Sequence, residues 1–265
     1  MQLAEAMAAL EAAGTEQNRK IYRRHGMPDP LFGVSFAVFG KLQKSIKRDQ
    51  ALADALWATG NGDARLLASM IADPAAAPLE RWAAALDNYF STDIFVKHVA
   101  APAPGAWERA RTWIDADGEW IERAGWSTLT HLAMGKLPIA DDEWLAFLPR
   151  IEREVQGAKN RVRDGMLALV AAIGLRNEAL RGPALAAAAR IGHVEVDHGE
   201  TSCETIDAAG MIERGWARKA GKPLPPKRVS AGAKKKAAPA AKPAGRTARA
   251  PAKKATPAPK KGTKK

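Results

Sequence analysis

From the N-terminus to about residue 191, apolar positions return every three or four residues, the spacing of one face of a helix. In 34–48, Val34, Val38, Leu42 and Ile46 fall on one stripe. In 49–60, Leu52, Leu56 and Trp57 do the same before the chain stops at Gly60-Asn61-Gly62. The stretch 63–74 is predicted to start with Asp63 as N-cap and to end before Pro74, because the residue ahead of a proline is pushed out of the helical region. Residues 79–99 are expected to form two helices that part near Asp87-Asn88. Further helices are predicted over 105–116, 118–135, 141–155, 159–175 and 178–192, with a last one from Ile206 to Arg218. No stretch alternates at period two for long enough to make a strand, so the fold class is all-α. The helices are short, closely linked and partly repeat one another: an Arg followed by small and apolar residues recurs at 65–70, 123–129 and 163–169. Arg123 and Arg163 are 40 residues apart, close to the HEAT-type period of about 40–47 residues. The pattern predicts an irregular HEAT-like solenoid with one concave face. A plain helical bundle has the same periods without a groove.

Charge divides the chain. The formal net charge is +12, yet from Arg214 to Lys265 there are 18 Lys and Arg and no acid, while 1–213 carries a net −6. The predicted organisation is a helical-repeat domain over 1–220 and a disordered basic tail over 221–265. Within 222–265 there is no aromatic, no Ile and no Leu after Leu224, and prolines recur; nothing there offsets the entropy of ordering. Lys and Arg interleaved with Ala and Pro resemble linker-histone tails and suit phosphate neutralisation by counterion release. A merely solubilising appendage is the plainer reading. An anionic membrane would also attract the tail, but no amphipathic anchor or lipidation signal adjoins it. No apolar run is long enough to span a membrane, and the N-terminus lacks the pattern of a secretory signal. A single cysteine, Cys203, fits a reducing compartment. The expected location is the cytoplasm, nucleoid-associated through the tail.

The motifs that would announce phosphoryl transfer, dinucleotide redox or α/β-hydrolase chemistry are missing. His193, His198 and Cys203 recur at five-residue spacing in HVEVDHGETSC (193–203). Imidazole and thiolate are zinc ligands, but the spacing matches no known zinc motif and a hydrogen-bonded turn accounts for it better. No metal or other cofactor is assigned. Most of the eight Trp residues are expected in the core. Asp93 stands apart: it is an acid in an apolar helical stretch, four residues after Tyr89, so the two share a helix face. It is either an N-cap or buried acid paired with Arg123 or Arg65, or a carboxylate on a DNA-facing surface that stabilises positive charge on a deoxyribose as a glycosidic bond breaks.

Several segments together, 32–44, 51–74, 86–99, 119–129, 147–155 and 174–185, resemble in order and spacing the AlkD-like family of DNA alkylation repair enzymes, over roughly residues 20–200. The resemblance implies a HEAT-like solenoid and excision of cationic alkylated purines such as 3-methyladenine and 7-methylguanine from duplex DNA; a monomer is expected. The family's Trp-x-x-x-Asp arrangement matches Tyr89 to Asp93, which makes Asp93 the implied catalytic carboxylate and Tyr89 a backbone contact. Its Trp-x-x-Arg-Ala helix matches Trp120 to Ala124, so Arg123 inherits a phosphate-clamp role, with Arg161 and Arg163 as further DNA contacts. Two positions depart: Tyr89 stands for a Trp, and a second active-site Trp aligns with Ala168. The resemblance also implies action on sugar and backbone from a groove, with no base pocket. The rival readings are a non-catalytic HEAT-repeat DNA-binding or damage-sensing protein, and a protein-interaction scaffold.

Overall fold

A computed structural model of the chain describes residues 1–135 and 137–226; most of the expected basic tail, from 227 onward, lies outside the described residues. The described part is helical with no strand. The helices run α1 (Leu3–Ala13), α2 (Glu16–Arg24), α3 (Phe36–Ile46), α4 (Gln50–Ala58), α5 (Gly62–Ile71), α6 (Leu79–Ala84), α7 (Tyr89–Phe95), α8 (Ala106–Trp113), α9 (Glu119–Met134), α10 (Asp141–Leu145), α11 (Phe147–Glu154), α12 (Asn160–Arg176), α13 (Glu178–Ile191) and α14 (Ala208–Lys219). A π-helical turn, Val96–Ala100, continues α7. None of them is long and apolar enough to cross a membrane.

Most predicted boundaries hold, and the exceptions have local causes. The single helix expected over 141–155 is two. Pro149 has no N–H to give the Leu145 carbonyl, and its ring crowds that carbonyl, so the chain parts at Ala146. The break near Asp87-Asn88 is real: Asn88 caps α7, its side chain accepting from Ser91 N at 2.9 Å. Asp63 does not cap α5. That place belongs to Asn61, which accepts from Ala64 N at 3.1 Å. Asp63 is fully buried and takes the N–H groups of Phe32, Gly33 and Val34 at 2.6, 2.9 and 2.7 Å, pinning the α2–α3 link to α5.

Two apolar cores result. One gathers α1–α7 and includes Trp57 stacked on Trp82 at 4.3 Å; the other gathers α8–α14 around Trp126, Trp144 and Val170. Six of the eight Trp residues are buried, at 57, 82, 107, 113, 126 and 144, as expected of core residues. Helix α9 belongs to both cores, with Ala124 in the first and Trp126, Leu129 and Leu132 in the second. Its main partner is α12. Gly165 permits the approach, since a Cβ there would meet Trp126 Cβ at 2.9 Å.

Candidate functional site: a carboxylate groove between α7, α9 and α12

Where the two cores meet, three helices turn one face each to a common groove. Helix α7 contributes Tyr89 and Asp93, four residues apart. Helix α9 contributes Arg123, Ser127, Thr130 and His131, and α12 contributes Arg161, Asp164, Gly165 and Ala168. Each set follows the three- and four-residue spacing of a single helix face. The fourth wall is the segment between α13 and α14. It returns along α12, where Asn160 exchanges hydrogen bonds with the backbone of Asp197 at 2.8 and 2.7 Å. Arg163 Nη1 donates to the Glu195 carbonyl at 2.8 Å, and Val194 and Val196 are buried beneath it. This strap carries His198, Cys203 and Glu204 to the groove.

The walls enclose a cavity of about 360 Å³ beside Asp93. Tyr89, Arg161 and His198 separate it from a second cavity of about 260 Å³, reached by Arg24, His25 and Trp120. A larger cavity, about 760 Å³, lies elsewhere, between α8, α10 and α11. Its arginines are already matched, Arg150 to Asp115 at 2.6 Å and Arg111 to Glu143 at 4.0 Å.

Arg123 organises the site. Its side chain is 9% exposed; Nη2 donates to both Asp93 oxygens, at 2.9 and 3.2 Å, and Nη1 donates to the Arg161 carbonyl at 2.7 Å. Asp164 stands 3.9 Å away on the other side. Asp93 itself is 48% exposed, so the pair presents a carboxylate to the groove and keeps the cation behind it. The protein packed round Asp93 pushes its carboxyl above the ordinary 3.8, against the pull of Arg123. The half-exposed side chain and this desolvation are compatible: solvent reaches the oxygens from the groove, while protein fills the other directions.

Tyr89 is held from three sides. His25 Nδ1 bonds its hydroxyl, and the guanidinium carbons of Arg161 and Arg123 lie 4.6 and 5.7 Å from its ring centroid. Burial, with Cys203 close by, pushes the phenol up to about 12. Arg161 Nη1 donates to His198 Nδ1 at 2.9 Å and reaches Asp164 at 3.3 Å. Because an arginine can only donate, His198 carries its proton on Nε2, 3.2 Å from Thr205 Oγ1.

The sequence-level candidates therefore divide. Asp93, Tyr89, Arg123 and Arg161 come together. Arg123 does not stand out as a phosphate clamp: it is buried and its donors face Asp93 and a carbonyl. Arg163 is also not presented to a ligand, because Nε and Nη1 hold the Ala158 and Glu195 carbonyls. Arg65 reaches Asp87, at 3.3 Å, rather than Asp93. His198 and Cys203 border the cavity while His193 does not, and among the described residues no cluster of His, Cys, Asp and Glu is placed to hold a metal. Ser127, His131 and Asp164 escaped the reading of the sequence, although their spacing from Arg123 and Arg161 was a usable signal. His25, 64 residues from Tyr89, had none. The cavity is a further difference, since only a groove was expected.

The helical scaffold that carries this carboxylate is similar to the HEAT-like proteins related to DNA glycosylases. The family model described as DNA alkylation repair enzyme matches residues 6–201, and the chain belongs to that family. It is 29% identical over 216 residues to uncharacterized protein Lin0241 of Listeria innocua, covering 77% of this chain and 93% of that protein. The match to uncharacterized protein Lmo0209 of Listeria monocytogenes has the same identity and coverage. A solved structure, described as a new family of proteins related to the HEAT-like repeat DNA glycosylases with affinity for branched DNA structures, superposes with a TM-score of 0.76 at 27% identity. The superposition covers 83% of this chain and 95% of that one.

Proposed function

We propose that the chain is a DNA glycosylase that removes cationic alkylated purines, such as 3-methyladenine and 7-methylguanine, from duplex DNA. The observation that carries this reading is the Asp93 carboxylate, half exposed to the groove and oriented by the buried Arg123. A purine alkylated at N3 or N7 already bears positive charge, so no general acid is required. The bond from C1′ to the purine nitrogen breaks with its electron pair going to the base, which becomes neutral. Positive charge then develops on the sugar, where Asp93 stabilises it. Water adds its oxygen to C1′ and gives up a proton to solvent or to Asp93. Tyr89, packed against both arginines, borders the path of the backbone; Arg161, whose Nη1 already bonds His198 and Asp164, would have to exchange these partners to meet a phosphate. Release of 7-methylguanine and 3-methyladenine from methylated duplex DNA tests the reading. Asp93→Asn is expected to slow release by about 10²–10³-fold at unchanged DNA affinity; release at the wild-type rate would overturn it.

A second reading has one specific support, the branched-DNA affinity in the description of the structural neighbour. On that reading the chain binds junctions and does no chemistry. Tighter binding to a four-way junction than to a linear duplex, with no base release from either, would favour it.

A further inference from the structure

We propose that His131 is the catalytic base of the excision, taking the proton of the water that adds to C1′ while Asp93 faces the sugar cation. This rests on the glycosylase reading and extends it to the attacking water. Placement is the first argument. His131 lies two turns beyond Arg123 on α9, with Ser127 between them, on the face that lines the groove beside Asp93. The residue is exposed, and among the described residues neither ring nitrogen has a hydrogen-bond partner. The neighbouring acceptors are engaged. His198 uses both nitrogens, one toward Arg161 at 2.9 Å and one toward Thr205 at 3.2 Å. Asp164 faces Arg161 at 3.3 Å and Arg123 at 3.9 Å, and Glu204 is not free.

The division of labour is the second argument. Arg123 donates to both oxygens of Asp93, at 2.9 and 3.2 Å. A proton on Asp93 would also remove the charge that stabilises the sugar. A neutral imidazole takes the proton without that loss. The surrounding protein, with Lys97 nearby, holds His131 below the ordinary 6.5 against the pull of Asp93, so the ring is unprotonated at neutral pH. Asp93, Lys97 and His98 are the titratable groups that face it from α7 and the π-helical turn. In the step, a lone pair of the water oxygen forms the bond to C1′ and one O–H bond of that water breaks. The proton goes to His131, and the sugar keeps the hydroxyl and becomes neutral. Asp93 then stabilises the imidazolium until its proton passes to solvent.

The test is single-turnover release of 7-methylguanine from methylated duplex DNA by the full chain. His131→Gln and His131→Ala are expected to be about 10²-fold slower than wild type at unchanged duplex affinity. Thermal unfolding checks that both variants fold, which the exposed position favours. A merely structural role predicts slowing that no added base repairs. Free imidazole is therefore expected to restore release by His131→Ala several-fold, and to leave wild type and Asp93→Asn unchanged. Release by a folded variant at the wild-type rate, or slowing without rescue by imidazole, would overturn the base and leave the glycosylase reading standing. No release by wild type would overturn that reading and the base with it.

Discussion

Asp93 and Arg123 act on each other in opposite senses. Enclosure by protein raises the Asp93 carboxyl above 3.8, and Arg123 lowers it. The ionised form is the one that stabilises a cationic sugar, so activity is expected to fall as pH drops through a limb lying above 3.8. For folding the sign reverses. The native state binds this proton more tightly than the unfolded chain, so the contribution to stability is present at low pH and is lost as pH rises through the folded value. Arg123→Ala removes the opposing pull and is expected to move the acidic limb of single-turnover excision to higher pH. An unmoved limb would mean that another group titrates there. Asp63 makes a separate prediction, for stability alone. Its replacement by Ala leaves the buried N–H groups of Phe32, Gly33 and Val34 without their acceptor. Thermal or urea unfolding is expected to show a loss of about 3 kcal/mol; a loss under about 1 kcal/mol would show that water replaces the carboxylate. The sequence pattern pointed to Asp93 as an odd acid in an apolar helix. It misread Asp63, because a loop 29 to 31 residues away leaves no mark on the local spacing that suggests a cap.

At the scale of elements, helix faces were legible and contacts across helices were not. Periodicity set Tyr89 over Asp93, and the same rule puts Ser127 and His131 on the face of Arg123. What it does not say is that α12 lies against α9, and that packing turns three separate faces into one site. The approach depends on Gly165, which sets up a contest of two effects. Gly165→Ala gains roughly 1 kcal/mol of helix propensity. The added Cβ, however, meets Trp126 Cβ at 2.9 Å, an atom next to the backbone that yields little, and overpacking of that kind costs about 1–3 kcal/mol. A net loss in Tm is expected, together with slower excision as α12 moves from α9; a more stable variant would show that the interface relaxes. The strap was the least legible element. HVEVDHGETSC has ligand-type residues at regular intervals, yet Val194 and Val196 anchor it in the core, Asn160 and Arg163 hold its backbone, and His198 receives a hydrogen bond from Arg161. Its ligand-type residues do not converge: His198 and Cys203 border the cavity and His193 does not.

Over the whole molecule, charge is unevenly divided along the chain. Residues 227–265 hold 14 Lys and Arg and no acid, which leaves 27 bases against 29 acids in 1–226. The part that bears the site thus has a slightly negative net charge, and on the proposed reading the long-range attraction to DNA is assigned to the basic segment. Each phosphate neutralised contributes about −0.9 to the slope of log affinity against log salt on duplex DNA. Ending the chain at Pro226 is therefore expected to reduce that slope by several units and to weaken duplex binding most at low salt. The truncation keeps the residues of the site, since Asp93, Arg123, Arg161 and the strap all lie before residue 208. Under single-turnover conditions with enzyme saturating, the truncated chain is expected to release 3-methyladenine at close to the full-length rate, while the enzyme concentration needed for half-maximal rate rises. A basic segment that only holds the enzyme near DNA changes the second quantity and not the first. If truncation lowered the saturated rate as well, the segment would have to act on the bound lesion, and the separation between a tethering charge and a catalytic groove would fall.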